Sequence, residues 1–557
     1  MRKISSPVSF LVLFILLTTS ACAGGRGAGA ATTAAAAATT ATGSASIDQD
    51  KGVTPASFIQ VEGADLSAKL AAAAQRARAD NRQTPYWTAY SFDVRPGVAV
   101  DPASGGTFHG SMNGYGGIYV FSGTTASGMT VETRNLGVFL LRSPGSNAIT
   151  RMEIYNLDRK REYSGYPVYF TGRAGNEESL NFLRGLAEGP PAPSAGRDGV
   201  LNERAALALA LHDDPRVAGV LKDFVRTSKN KRVRSASVFW LGQIGGETAF
   251  LADIVRNTNE ELELRRQAAH SVGEGRDRAA LATLQTLYAS ATERELRKSI
   301  VHASAGNEDR EGALAFLLRA AKTDADREVR KAAVHALGEY GGDRAVDELM
   351  RIYAAEQDTA VKRTVMHALA EIETPRAEAK LFEIARSPSE PQESRKVAIH
   401  HLGEKGTDAS TAELVRIYDA DQNREVRRTI IHSLSENKSQ RAEDKLFEIA
   451  RGSDDPEMRK TAIHVIGERA GKRSLELLRD TVEGAGGDAQ IQIQALRAIS
   501  ERPAEESVPL LIKAAKSHPN PQVRRAAIRW LGESGDPRAL EYFRQVLTEK
   551  PDENKEQ

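Results

Sequence analysis

Between residues 234 and 533 the apolar positions fall into one recurring pattern, and it is a helical one. In VRKAAVHALGE, residues 329–339, Ala333, Ala336 and Leu337 cluster with Val329 on a helical wheel. Lys331 lies about 200° and His335 about 240° from Val329, away from that apolar stripe. The stretch that follows, AVDELMRIYAAEQ at 345–357, places Val346, Leu349, Ile352 and Tyr353 on one side and predicts a further amphipathic helix ahead of the next copy of the motif. Each unit therefore reads helix, turn, helix.

The second segment of the unit returns ten times: RSASVFWLGQ at 234, RRQAAHSVGE at 265, RKSIVHASAG at 297, RKAAVHALGE at 330, KRTVMHALAE at 362, RKVAIHHLGE at 395, RRTIIHSLSE at 427, RKTAIHVIGE at 459, QIQALRAISE at 492 and RRAAIRWLGE at 524. Successive copies start about 32 residues apart, a period that marks stacked supersecondary units. A longer echo is superposed on it. KLFEIAR at 380–386 recurs at 445–451, and Arg351-Ile352-Tyr353 recurs at Arg416 to Tyr418, both two periods on, as duplication of a two-repeat block would produce.

Between the helices stand Asp455-Pro456 and Asn520-Pro521, a capping residue followed by proline at the first helical position. The pattern (D/N)P-x-V-R-x-x-A-x-x-x-L-G resembles HEAT repeats, in particular the short bacterial kind also found in phycobilin lyases. The resemblance covers roughly residues 200 to 548, and no tetratricopeptide W-x2-L-G-x2-Y signature is present. It implies an α–α superhelix whose second helices line the concave face. It also implies packing roles for the aligned arginines Arg330, Arg395, Arg427, Arg459 and Arg524.

Ahead of the repeats the period changes. Residues 64–81 predict a helix starting at Asp65, and short β-branched or aromatic segments bounded by Gly, Pro, Asn and Ser follow from 84 to 173. These are 84–94, 116–123, 129–134, 137–143, 148–158 and 166–172, with Ser143-Pro144-Gly145-Ser146-Asn147 as a hairpin connection. Asn113-Gly114-Tyr115-Gly116-Gly117 is not a phosphate loop, since no helix signal follows it. The many aromatics of this part fit either a ligand groove or, more simply, a core. Helices at 178–187 and 202–212, with a Pro/Gly-rich loop between them, predict an atypical capping repeat carrying Arg204, and 539–548 a closing helix. The expected fold is mainly α: a HEAT-like solenoid of about ten to eleven repeats over 176–548, preceded by a helix and a small antiparallel β-rich domain over 51–175.

The first residues change the picture of where this body sits. Arg2 and Lys3 precede an apolar run from Val8 to Leu17, which reads as an export signal over 1–22. Its end, Thr19-Ser20-Ala21-Cys22, resembles a bacterial lipobox, which implies lipidation of Cys22; Thr19 departs from the usual leucine. Ala21-Cys22-Ala23 also fits ordinary signal cleavage after Ala23, which would release a soluble periplasmic protein. In families with this signal an aspartate after the cysteine retains the protein in the inner membrane. Ala23 stands there, so the resemblance implies the outer membrane. Residues 23–50, almost wholly Ala, Gly, Thr and Ser up to Ser46, read as a disordered tether able to hold the body about 25 to 30 Å off a lipid surface. Residues 549–557 read as a disordered charged tail.

Composition narrows the function classes. With 75 basic and 74 acidic residues the chain has no global drive toward nucleic acid or anionic membrane, so the membrane is expected to be met only through the N-terminal lipid. Cys22 is the only cysteine, which excludes an intramolecular disulfide, a cysteine zinc site and a cysteine nucleophile within the folded part. Neither a cofactor nor a catalytic constellation emerges.

Candidate chemistry is confined to the outward stripe of the second helices. His270, His302, His335, His367, His400, His432 and His464 occupy one repeat position, seven of the eleven histidines, and Arg497 and Arg529 continue the row. Four residues earlier stand Arg266, Lys298, Lys331, Arg363, Lys396, Arg428, Lys460 and Arg525; four residues later a glutamate is frequent. Duplication alone could have copied such a row onto a solvated face. The functional alternative is a polar groove that binds an acidic or extended protein partner, its positive charge rising as pH falls through about 6.5. Metal binding would need neighbouring rungs to lean together. The sequence thus favours an exported scaffold that binds an unidentified protein through this stripe. An enzyme or ligand-binding protein related to phycobilin lyases is the alternative, and it rests on shared repeats only.

Overall fold

The computed structural model describes residues 53 to 548, without 81–82, 101–107, 116–117, 126–132, 191–199, 276, 453–454, 470 and 485–487; for 108–125 only the backbone is described. The export signal, Cys22, the tether of 23–50 and the tail of 549–557 lie outside the described residues.

Among the described residues the N-terminal part contains eight strands: β1 (Ile59–Gln60), β2 (Tyr86–Ser91), β3 (Val98–Ala99), β4 (Phe108–Tyr115), β5 (Ile118–Thr125), β6 (Leu136–Arg142), β7 (Ile149–Asn156) and β8 (Val168–Arg173). They form a five-stranded sheet, β1-β8-β2-β6-β7, and a three-stranded sheet, β3-β5-β4. Pairing is antiparallel except at β8, which runs parallel to both β1 and β2. The β6–β7 hairpin turns at Ser143 to Asn147, where Gly145 (φ +79) and Asn147 (φ +59) supply the left-handed positions. Strand β4 has no counterpart in the sequence reading, because FHGSMNGY mixes glycine and polar residues and shows little β-branched character. Of the strand expected at 129–134, Thr133 and Arg134 are irregular and the remainder lies outside the described residues.

Among the described residues the aromatics of this part are mostly core. Tyr86, Trp87, Tyr90, Phe92, Tyr163 and Tyr169 are buried, and Trp87 Nε1 donates to the Tyr163 carbonyl at 2.9 Å. The helix Leu66–Ala79 is capped by Asp65, whose Oδ1 accepts from the Ala68 amide at 2.8 Å. Its alanines Ala73 and Ala77 let it lie close on Tyr86 and Tyr169.

From Asn176–Glu188 and Val200–Ala210 onward the chain is helical, and the sheet and the first repeats share one apolar core. Val200–Ala210 packs against β7, and its Arg204 meets Glu153 of that strand at 3.6 Å instead of joining the arginine ladder of the later repeats. At the same junction His212, 2% exposed, stacks on Phe92 at 4.1 Å, and its Nε2 lies 2.8 Å from Ser179 Oγ. Burial pushes the His212 imidazole down to about 4.

The ten second helices predicted by the repeat all form, among them Arg327–Tyr340, Thr359–Glu371, Gln392–Lys405 and Pro521–Glu533. Asp455 and Asn520 cap their helices as expected from sequence, and other repeats use the same device. Asp326, Asp358, Asn423, Asp455 and Asn520 each accept a backbone N–H of the first turn. Val329, Ala333 and Leu337 are fully buried, within a single core that runs from Val301 to Tyr542. The aligned arginines are structural, as the resemblance implied. Arg234, Arg265, Arg395 and Arg427 donate from Nε to the last-turn carbonyls of their own first helices, those of Val225, Val255, Ala385 and Tyr418, at 2.7, 2.8, 3.0 and 3.1 Å. Among the described residues five of the row also reach a carboxylate in the next repeat's turn: Arg234 to Glu260, Arg265 to Glu293, Arg297 to Asp324, Arg330 to Glu356 and Arg395 to Asp421.

Candidate functional site

Successive second helices pack closely on one another, whereas successive first helices touch far less. A stack with one tight layer bends toward it, so the second helices take the inner side of the array. The glycine of the repeat permits this approach. A Cβ on Gly338 would stand 2.6 Å from Ala368 Cα, and one on Gly403 2.6 Å from Ser433 Cβ.

The tight contact is not made at every rung. Gly338, Gly403 and Gly467 face Ala368, Ser433 and Ala498. At the alternate rungs the same position is Ala370, Ser435 or Ser500, and the residue in register opposite is larger: His401, Val465 or Trp530. From Gly338 onward the two-repeat echo in the sequence is therefore an alternation of close and open junctions, whereas ahead of it Gly242 and Gly273 make the close contact at two successive junctions. At the last open junction a shallow cavity is lined by Arg497, Ser500, Glu501, Trp530, Glu533 and Ser534.

On this inner layer the predicted row is solvent-accessible. His302, His335, His367, His400 and His432 are exposed, as are Arg497 and Arg529, while His270 and His464 are half-buried. The basic residues four positions earlier are not free charges. Arg266, Lys298, Lys331, Lys396, Arg428 and Lys460 each pair with a glutamate three residues before, at 2.7 to 3.3 Å, for example Lys331 with Glu328 at 3.1 Å. Arg363 has Ala360 at that place and is exposed. Two of the histidines stand between glutamates of two rungs. His335 lies 3.9 Å from both Glu339 of its own helix and Glu371 of the next, and His400 lies 3.5 Å from Glu404 and 3.8 Å from Glu436. Arg497 and Arg529 repeat the first half of this arrangement with Glu501 and Glu533, at 3.2 and 3.8 Å.

The charge balance follows rung by rung. Around His335, His400, His432 and His464 two glutamates accompany one Lys or Arg, as Glu328, Lys331 and Glu339 do for His335. Each such rung carries one negative charge while its histidine is neutral and none once it is protonated. Crowding of the wall lowers several of these histidines below their ordinary value, a refinement of the pH expected from sequence. Desolvation, reinforced by His302 and Arg266, pushes His270 down to about 4. Desolvation also lowers His302 and His367. Desolvation among the first repeats pushes the Glu274 carboxyl up to about 7 although its tip is open to solvent, while the Gln243 amide donating to it at 2.7 Å pulls the other way.

One functional candidate was absent from the sequence reading. His401 is not in the row; it stands where neighbouring repeats have small residues, and it fills the open junction beside Ala370. Its Nε2 is 2.8 Å from Nδ1 of His367 and its Nδ1 is 2.9 Å from Glu404, with the two rings nearly perpendicular. With Glu404 accepting from Nδ1, Nε2 of His401 accepts the His367 proton, so the two imidazoles form a neutral hydrogen-bonded pair. The pairing of Ala370 with a large residue at the facing place of the next repeat was the available signal. This is the only place among the described residues where two rings of neighbouring rungs lean together in hydrogen-bonding contact, and no group of three or more His, Cys, Asp or Glu there could hold a metal ion.

The family model of HEAT repeats matches residues 314–403, 346–435, 378–467, 411–486 and 484–557, overlapping windows on the two-helix unit. The array is a HEAT-repeat solenoid. No curated protein matches the sequence. Among solved structures, yeast importin-β (Kap95p) aligns at 13% identity over 67% of this chain and 56% of its own, with a TM-score of 0.32. Kap121p bound to Nup53p aligns at 12% identity over 68% of this chain and 48% of its own, with a TM-score of 0.39. Human deoxyhypusine hydroxylase aligns at 19% identity over 47% of this chain and 96% of its own, with a TM-score of 0.21. The chain spans about half the length of the importin-β and Kap121p structures it matches, and at these scores none of the three bears on what this solenoid binds.

Proposed function

We propose that this HEAT solenoid is a non-catalytic scaffold of the bacterial cell envelope, held through Cys22 at the periplasmic side of the outer membrane, that binds an extended segment of another protein along its histidine row. A soluble periplasmic form is the second choice for its location. Among the described residues no helix is long and apolar enough to cross a membrane, so in this reading attachment falls to the lipid on Cys22.

The observation that supports the reading best is the register of the row. Polar groups of one type stand exposed on successive rungs, and glutamates bridge from rung to rung at His335 and His400. Stacked helices repeat at about 10 Å, the length of roughly three residues of extended chain, so a bound segment can meet each rung with every third side chain. The charge balance adds a direction. An acidic segment is disfavoured while the histidines are neutral and gains as they are protonated, whereas a basic segment loses. The test is recovery of envelope proteins by the wild type and by a variant carrying Lys331→Ala, His335→Ala and His367→Ala. Loss of a specific protein with unchanged folding supports the reading, and an unchanged set of recovered proteins contradicts it.

A further inference from the structure

The last repeat of the array is not finished as an end. In the interior, the residue four positions after the aligned arginine is apolar and covered by the following repeat: Val334, Ile399 and Ile463 are each 0% exposed. Ile528 holds that position in the last second helix and is 41% exposed. The last helix, Pro537–Thr548, shows the same thing over its whole length. Leu540, Val546 and Leu547 are 60%, 50% and 86% exposed, where their counterparts one repeat earlier, Val508, Ala514 and Ala515, are 0%, 5% and 6%. The other side of this helix is already occupied, since Ala539 and Tyr542 are buried against the preceding repeat. Solenoids ordinarily close with a polar outer face. Here four of the seven large apolar side chains exposed among the described residues lie on the final two helices.

We propose that a second copy of this chain covers that face, in a twofold dimer formed end to end by the helices Pro537–Thr548. The opposite end of the array is closed, because the β sheet shares its core with the first repeats. Head-to-tail stacking, which would give open filaments, is therefore blocked, and the matching surface a second copy offers is the same end. The stripe suits antiparallel self-pairing. Leu540, Phe543 and Leu547 follow the i, i+3, i+7 spacing of a helix seam, and a twofold axis near Phe543 and Arg544 sets Leu540 across from Leu547 of the other copy. Glu541 and Arg544 lie together along one side of the stripe, 3.8 Å apart, and antiparallel pairing brings each toward its opposite in the second copy.

Sedimentation of the full chain tests this, with twice the 60.3 kDa chain mass expected at micromolar concentration. Leu540→Glu with Leu547→Glu weakens association about a hundredfold or more. Leu547→Asn alone, at a side chain too exposed to support the fold, weakens it in the same direction and guards against an unfolding artefact. In a Cys22→Ser background, Arg544→Cys crosslinks to itself with a short bis-maleimide, and Arg416→Cys does not. A monomer at all concentrations, a dimer that survives both leucine variants, or a dimer whose Arg544→Cys form does not crosslink overturns the proposal.

Discussion

Gly338 shows how a single residue sets the spacing of the array. Its missing side chain lets the helix Arg327–Tyr340 lie against Ala368, and a methyl group there would meet backbone at 2.6 Å. Gly338→Ala is therefore expected to cost about 2 kcal/mol in denaturant unfolding, although alanine is the better helix former. Gly185, inside the helix Asn176–Glu188 with nothing within 4 Å of a built Cβ, is the control: Gly185→Ala should be neutral or stabilising by up to about 1 kcal/mol. Arg395 is the polar counterpart. It is 4% exposed, donates twice to the Ala385 carbonyl and pairs with Asp421. Arg395→Ala leaves that carbonyl and a largely buried carboxylate without their donor and should cost about 3 kcal/mol, read as a shift in the urea midpoint at constant slope.

Among the elements, the junction between the sheet and the first repeats has a pH dependence of its own. Burial holds His212 at about 4, below its unfolded value near 6.5. Between those values the unfolded chain binds the proton and the folded chain does not, so stability falls as pH falls through that window. The loss reaches about 3 kcal/mol by pH 4, and above pH 6.5 nothing is lost. Protection factors against hydrogen exchange, taken relative to the slower intrinsic exchange at acid pH, should accordingly fall at β7 and in Val200–Ala210 between pH 7 and pH 4.5, more than in helices of the central repeats. His212→Phe, which keeps the stacking on Phe92, should remove most of the difference.

At the scale of the molecule, the solenoid was legible from sequence because a HEAT unit buries the same positions each time, and ten copies average out local exceptions. The Asx-Pro caps at Asp455 and Asn520 and the outward row followed from that register, and the arginine ladder from the resemblance to HEAT repeats. What escaped has a physical cause in each case. Strand β4 lacks a strand composition, and β8 runs parallel to its neighbours because residues far apart in sequence pair there. His401 was hidden because its role comes from the helix next door: Ala370 opens the junction that its ring fills. The pairing of the basic row with glutamates three residues earlier was written in the sequence, yet its consequence, a face that is net negative on most histidine rungs at neutral pH, emerges only when the rungs are set side by side. That balance predicts that an acidic segment binds more tightly at pH 5.5 than at pH 7.5 and that salt weakens it at the lower pH, measurable by titration once a partner is in hand.

The central claim is that the histidine face is where the partner sits, and site-specific photo-crosslinking in intact cells tests it most directly. A photoreactive residue would replace His335 or His400 on the second helices, or Arg351 or Arg416, both 70% exposed on the first helices. The account predicts one and the same protein attached from His335 and His400 and not from Arg351 or Arg416. Attachment of that protein from the first-helix positions instead, or equally from all four, would contradict it.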